Sequence, residues 1–173
     1  MDLKKYIRNI PDFPKPGIQF KDITTLILNP EAFRYTIDQF VKRYKDMKID
    51  AVVGIESRGF VFSSVVAYHL SCPLALARKK GKLPSEKISE SFALEYGWDV
   101  LEIHTDALKE NQRVVIMDDL LATGGTVSAV KRLVERLGAI PIESAFVIEL
   151  SSLKGRETLY PLPVFSLVQF EDV

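Results

Sequence analysis

Short, predominantly apolar runs alternate with helical segments along this chain: AVVGI at 51–55, LALA at 74–77, VVIM at 114–117, ESAFVIEL at 143–150 and VFSLV at 164–168. A strand that is apolar on both sides must be covered on both faces, and a parallel sheet with helices above and below provides that cover. The intervening segments fit. Asn29 can cap a helix with Pro30 at its first position, after which Phe33, Ile37, Phe40, Val41 and Tyr44 recur at helical spacing. The stretch FVFSSVVAYHL at 60–70 is too long for one buried strand and reads as a buried helix, giving a βαβ unit with its neighbours. A second unit joins VVIM to the 143–150 strand through a helix bearing Val127, Val130, Val134 and Leu137. The expected fold class is therefore α/β, with a mostly parallel central sheet flanked by helices and ligands gathered at the carboxyl ends of the strands.

A chain of 173 residues, 47% of them hydrophobic, suits one domain with a real core. Its 23 basic and 23 acidic residues balance, so no global field argues for nucleic acid or a membrane surface. Any anion site must be local. Residues 1–10 lack an apolar core behind their charges, and no stretch reaches the roughly 20 apolar residues of a membrane span. The lone Cys72 reads as a small buried hydrophobe suited to a reducing compartment, and His69 and His104 form no recognisable zinc set with it. The expectation is a soluble, cytoplasmic protein.

The chemistry concentrates in DDLLATGGT at 118–126. Asp118 and Asp119 are read as opening the loop that leaves the VVIM strand, and residues 122–126 lead into the next helix. Ala122, Thr123, Gly124, Gly125 and Thr126 offer backbone N–H groups with little obstruction, two hydroxyls, and the positive end of a helix dipole. That is a cradle for a monophosphate. Carboxylates cannot face a phosphate directly but accept hydrogen bonds from vicinal hydroxyls, so a ribose 5-phosphate satisfies both halves. The plainer alternative is that the acids cap a helix and the glycines make a tight turn. Neither GxxxxGK[ST] nor GxGxxG occurs in the chain, which sets aside the common nucleotide loops. Elsewhere, ESRG at 56–59 follows the first strand, so Arg58 is either a clamp for an anion or a residue at an exposed helix end. The run RKKGKLPSEK at 78–87 is either a solvated face or a mobile cationic lid.

The segment from Val114 to Thr126 resembles the phosphoribosyl pyrophosphate (PRPP) motif of the type I phosphoribosyltransferases, most closely their adenine-specific branch. The resemblance extends through DFPKPGIQFKDIT at 12–24, GIESRGF at 54–60, RKKGKLP at 78–84, SFALEYG at 91–97 and ELSSLKGRE at 149–157. It implies the type I phosphoribosyltransferase fold as a single domain over 1–173, with a small hood mainly from 1–30 and a flexible lid or hairpin insertion over 79–100. By the same resemblance, Asp118 and Asp119 hold the ribose hydroxyls and Ala122 to Thr126 wrap the 5-phosphate. Glu56, Ser57, Arg58, Arg78, Lys79 and Lys82 belong to the pyrophosphate side, where the family loop is associated with a strained peptide bond. Gln19, Phe20, Lys21 and Leu150 receive adenine, with many members carrying arginine where this chain has Lys21. Glu95 is implied as the general acid/base on the purine, and Tyr96 as part of the lid.

These roles imply purine salvage, with adenine and PRPP giving AMP and pyrophosphate. Mg²⁺ would arrive on the substrate rather than in a protein cage. The likeness also implies a homodimer. A 6-oxopurine or xanthine phosphoribosyltransferase is the nearest alternative, and SFALEYG and DFPKPGIQF speak against it. A PRPP-sensing regulator that binds without catalysis would need a DNA-binding extension, for which the residues before the hood segment are too few.

Overall fold

The structure, a computed structural model, describes residues 1–93 and 97–171. In chain order the strands are β1 (Arg8–Pro11), β2 (Gln19–Asp22), β3 (Ala51–Ile55), β4 (Leu74–Lys79), β5 (Lys87–Ala93), β6 (Trp98–His104), β7 (Arg113–Leu121), β8 (Ile140–Leu150) and β9 (Val164–Phe170). The α-helices are α1 (Thr24–Leu28), α2 (Pro30–Tyr44), α3 (Gly59–Leu70), α4 (Gly125–Arg136) and α5 (Gly155–Leu159). Seven strands form one sheet in the order β5-β6-β4-β3-β7-β8-β9. Strands β4, β3, β7, β8 and β9 run parallel, while β5 and β6 add an antiparallel hairpin at one edge. A separate two-stranded sheet joins β1 to β2.

The apolar runs divide their side chains between two cores. Val53, Ile55, Val114, Ile116 and Phe146 point to the face covered by α4, whereas Val52, Val115, Met117, Ala145 and Val147 point to the face covered by α2 and α3. Both faces are dry, as the unbroken apolar runs require. Helix α2 begins where expected, with the Asn29 side chain accepting from the Ala32 N–H and Pro30 at the first turn. Its buried stripe is Ala32, Thr36, Ile37, Phe40 and Tyr44, and each large apolar side chain there contributes roughly 1.5–3 kcal/mol. Helix α4 buries Val127, Ala129, Val130, Leu133 and Val134, while Leu137 falls at its cap.

Two local expectations, for Asp118–Asp119 and for Cys72, are corrected, and part of the 79–100 segment forms a hairpin. Strand β7 continues through Asp118 and Asp119 to Leu121, because its ladder with β8 persists to the Leu121–Glu149 pair. The acids therefore sit in the strand, not in the loop. The polar stretch after residue 86 is a regular hairpin, paired from Lys87–His104 to Ala93–Trp98. Cys72 is only partly buried, since it lies in the short turn between α3 and β4.

Candidate active site

Strand β3 connects through α3 to β4 on one side, and β7 connects through α4 to β8 on the other. The chain direction of travel thus reverses between β3 and β7, and the loops after these neighbouring strands splay apart and leave a crevice at their carboxyl ends. A cavity of about 310 Å³ occupies it, lined by Glu56, Ser57, Arg58, Lys79, Phe92, Asp99, Leu101, Asp118, Asp119, Leu120, Ala122 and Thr126.

The acid pair lies at its floor. Asp118 Oδ1 accepts from the Asp119 N–H at 2.8 Å, and Asp119 Oδ2 stands 2.9 Å from Arg58 Nε. That oxygen is buried, yet no hydrogen of suitable direction reaches it from the described residues. A buried acceptor with room for a donor is a ready partner for a hydroxyl. Burial, and next the charge of Asp119, push the Asp118 carboxyl well above the usual range. Burial raises Asp119 as well, against the opposing pull of Arg58. Two adjacent carboxylates in a closed place resist ionising together, so a ligand that donates hydrogen bonds or brings positive charge relieves both.

Beyond the acids the backbone turns sharply. Gly124 has φ +86°, in the left-handed region that favours glycine, and its carbonyl accepts from Ser128 N–H as α4 begins. Gly125 and Thr126 are in the first helical turn, where N–H groups have no intrahelical partner. Of the expected cradle, Ala122 and Thr126 line the cavity, and Thr123 is exposed.

Cations approach from β3 and β4. Glu56 accepts from the Lys79 N–H at 2.8 Å and from Arg78 Nε and Nη2, both at 3.3 Å. Burial pushes the Glu56 carboxyl up, but these donors outweigh it and leave it below its ordinary value. Glu56 thus holds cations in place. Arg78 Nη1 also donates to the Lys82 carbonyl, while Lys79 Nζ pairs with Asp99 Oδ2 at 3.2 Å. The Glu56–Ser57 peptide is cis. Arg78 and Lys82 do not themselves line the cavity, and Asp99, Phe92, Leu101 and Leu120 do so unforeseen. Asp99 reaches the site because β6 pairs with β4, a long-range pairing that local spacing does not signal.

The amino-terminal hairpin supplies an aromatic face. The Phe20 ring lies 5.4 Å from the Arg58 guanidinium and 5.1 Å from the Phe13 ring. Lys21 is buried, donates to Asn9 Oδ1 at 3.0 Å and sits 4.7 Å over the Phe170 ring. Asn9 in turn donates to Gln19 Oε1 at 2.7 Å. Leu150 is buried at the end of β8. Glu95 and Tyr96 lie outside the described residues.

The sequence pattern of the phosphoribosyl transferase domain matches residues 27–172. Adenine phosphoribosyltransferase of Chloroflexus aurantiacus is 57% identical over 98% of either chain. The chain belongs to the adenine phosphoribosyltransferase family. A second relative, adenine phosphoribosyltransferase 1 of Triticum aestivum, is 54% identical over 96% of this chain and 92% of its own. Among solved structures, the enzyme of Thermoanaerobacter pseudethanolicus superposes with a TM-score of 0.95 at 48% identity, covering 98% of each chain. The Saccharomyces cerevisiae enzyme, solved with an imino-altritol bisphosphate and adenine, gives a TM-score of 0.90 at 40% identity over 96% of each. The type I phosphoribosyltransferase fold is thus shared with these relatives.

Proposed function

We propose that the protein transfers the 5-phosphoribosyl group of PRPP to N9 of adenine, giving AMP and pyrophosphate. The carrying observation is the juxtaposition at one crevice of an acid pair, buried Asp119 and half-buried Asp118, with a glycine-turned helix start and an arginine. Near-complete alignment with adenine phosphoribosyltransferases supports it.

Loss of pyrophosphate from C1 builds positive charge on the ribose ring and negative charge on the departing oxygens. Asp118 and Asp119 take the ribose hydroxyls, and their field softens the oxocarbenium character of the ring. The 122–126 segment takes the 5-phosphate and fixes the sugar. Arg58 takes the leaving group together with Lys79, Lys82 and Arg78, of which Arg78 is held by Glu56, and the guanidinium fork suits its paired oxygens. Adenine stacks between Phe20 and Leu150, with the Gln19 backbone at its edge and Lys21 anchored behind through Asn9. Glu95 follows the end of β5 and handles the proton on the purine, and Tyr96 closes the lid.

Among the described residues no three His, Cys, Asp or Glu side chains gather into a metal cage. The hard carboxylate oxygens of Asp118 and Asp119 nevertheless suit Mg²⁺ brought in by the phosphates of PRPP. When bound, the ion would draw negative charge from the leaving pyrophosphate.

We read residues 1–30 as the hood and 79–100 as the lid of one domain over 1–173. A cytoplasmic homodimer is part of the same reading. The exposed Tyr68 of α3 and Leu76 of β4 support the dimer as uncovered apolar surface. No helix among the described residues is long and apolar enough to cross a membrane. Incubation with PRPP, Mg²⁺ and adenine tests the proposal: AMP and pyrophosphate should form one for one, and their absence would refute it.

A further inference from the structure

The phosphate cradle rests against a short helix. A methyl group on Gly124 would fall 2.9 Å from the Gly155 carbonyl oxygen and 3.1 Å from Thr158 Cβ. One on Gly155 would fall 2.4 Å from the Ala122 carbonyl oxygen. Backbone therefore meets backbone between the 122–124 turn and the first turn of α5, and any shift of α5 is transmitted to the turn.

A helix of five residues cannot hold itself. Leu159 buries its side chain in the core at one end of α5, and Arg156 ties down the other. Its Nε and Nη2 donate to the two oxygens of Glu149, each at 2.6 Å. Nη1 donates to the Val164 carbonyl at 2.7 Å, and Nη2 also reaches Ser166 Oγ at 3.1 Å. The Glu149 carboxylate is only 4% exposed and further accepts from Ser166 Oγ at 2.5 Å and Gln169 Nε2 at 3.3 Å. Burial alone would raise this carboxyl, yet the donors hold it below its ordinary value. The fork thus ties α5 to β8 and β9 together. None of these side chains lines the crevice, so contact with substrate does not account for them.

We propose that Arg156, locked by Glu149 and Ser166, is a positioning residue for the 5-phosphate subsite. It holds α5 as a fixed wall behind Ala122 and Gly124, so the N–H groups of the turn keep the geometry a phosphate needs. The inference rests on the reading of that turn as a phosphate cradle.

Arg156→Ala and Arg156→Lys test it, with calorimetric affinity for ribose 5-phosphate and steady-state kinetics as readouts. Arg156→Ala should weaken ribose 5-phosphate roughly ten- to a hundredfold and raise the PRPP KM in step, because small misplacements of a binding turn carry such costs. The adenine KM and kcat at saturating PRPP should change by no more than about threefold. Arg156→Lys keeps the charge but not the fork, and should fall between. If Arg156→Ala does not fold, the lysine variant alone decides. A lowered melting temperature with unchanged ribose 5-phosphate affinity would overturn the proposal, as would equal losses for adenine and PRPP. Unmutated protein that binds ribose 5-phosphate without making AMP would refute the enzymatic reading and leave this test standing.

Discussion

Arg58 Nε lies 2.9 Å from Asp119 Oδ2 while the same guanidinium stands 5.4 Å from the Phe20 ring. One side chain thus links Asp119 at the crevice floor to the aromatic ring of the amino-terminal hairpin. Arg58→Ala should lower kcat/KM for PRPP by about 10²–10³, the usual cost of one charge-stabilising donor. Arg58→Lys should recover only part, since an ammonium lacks the fork. Steady-state kinetics on both variants decide, and a loss under threefold would remove Arg58 from the site.

The raised carboxyl of Asp118 makes stability depend on pH. A carboxyl whose folded pKa lies above its unfolded value stabilises the fold fully below the unfolded pKa, and that contribution is lost as pH rises through the folded one. Asp118→Asn removes the titration. The variant should therefore melt higher than the parent near neutral pH, with the gap closing as pH falls toward about 4. Thermal melts across that range check this, and a gap that widens on acidification would reverse the assignment. The same variant should bind PRPP more weakly.

Gly59 begins α3 hard against β7. A methyl there would stand 2.8 Å from Asp118 Oδ1 and 3.0 Å from the Met117 carbonyl oxygen. Gly59→Ala should cost about 1–3 kcal/mol by overpacking, and it should displace Asp118, so that PRPP affinity falls in a protein that still folds. Denaturant titration together with a PRPP binding curve measures both.

The far end of β8 carries a different ion pair. Glu143, 4% exposed, accepts from Arg43 Nε at 2.6 Å and from the Tyr44 hydroxyl at 2.6 Å, with Arg43 also 4.1 Å from the Phe165 ring. Arg43→Ala strips a buried carboxylate of its main partner. Because the Arg43 side chain is 37% exposed, the cost is about 2 kcal/mol rather than the larger figure for a fully buried pair. Urea melts should show it, and catalysis should be unaffected.

The βαβ units were legible because β3, β7 and β8 bury both faces and so carry apolar runs such as AVVGI, VVIM and AFVI, and because the pair Asn29-Pro30 marks a helix start. The turn into α4 was legible through Gly124, whose conformation only glycine adopts readily. Less could be read where the determinant is a pairing. Asp118 and Asp119 ended the apolar run and were assigned to a loop, yet the ladder to β8 carries the strand past them. Asp99 reaches the crevice only through the pairing of β6 with β4, and Glu149 finds its guanidinium partner only on α5. Lys21, expected at the edge of the base, is engaged by Asn9 and Phe170. Side chains that act through tertiary neighbours leave little trace in local spacing.

In the proposed reaction the amino-terminal segment selects adenine, because an acceptor at the exocyclic amine would leave a buried group unpaired against any 6-oxopurine. The most direct measurement is nucleotide formation from PRPP and Mg²⁺ with adenine, hypoxanthine, guanine and xanthine offered separately. AMP should form rapidly and the oxopurines should be converted at least about a thousandfold less efficiently. Comparable or faster turnover of an oxopurine would contradict the assignment of Gln19, Phe20, Lys21 and Leu150 to adenine.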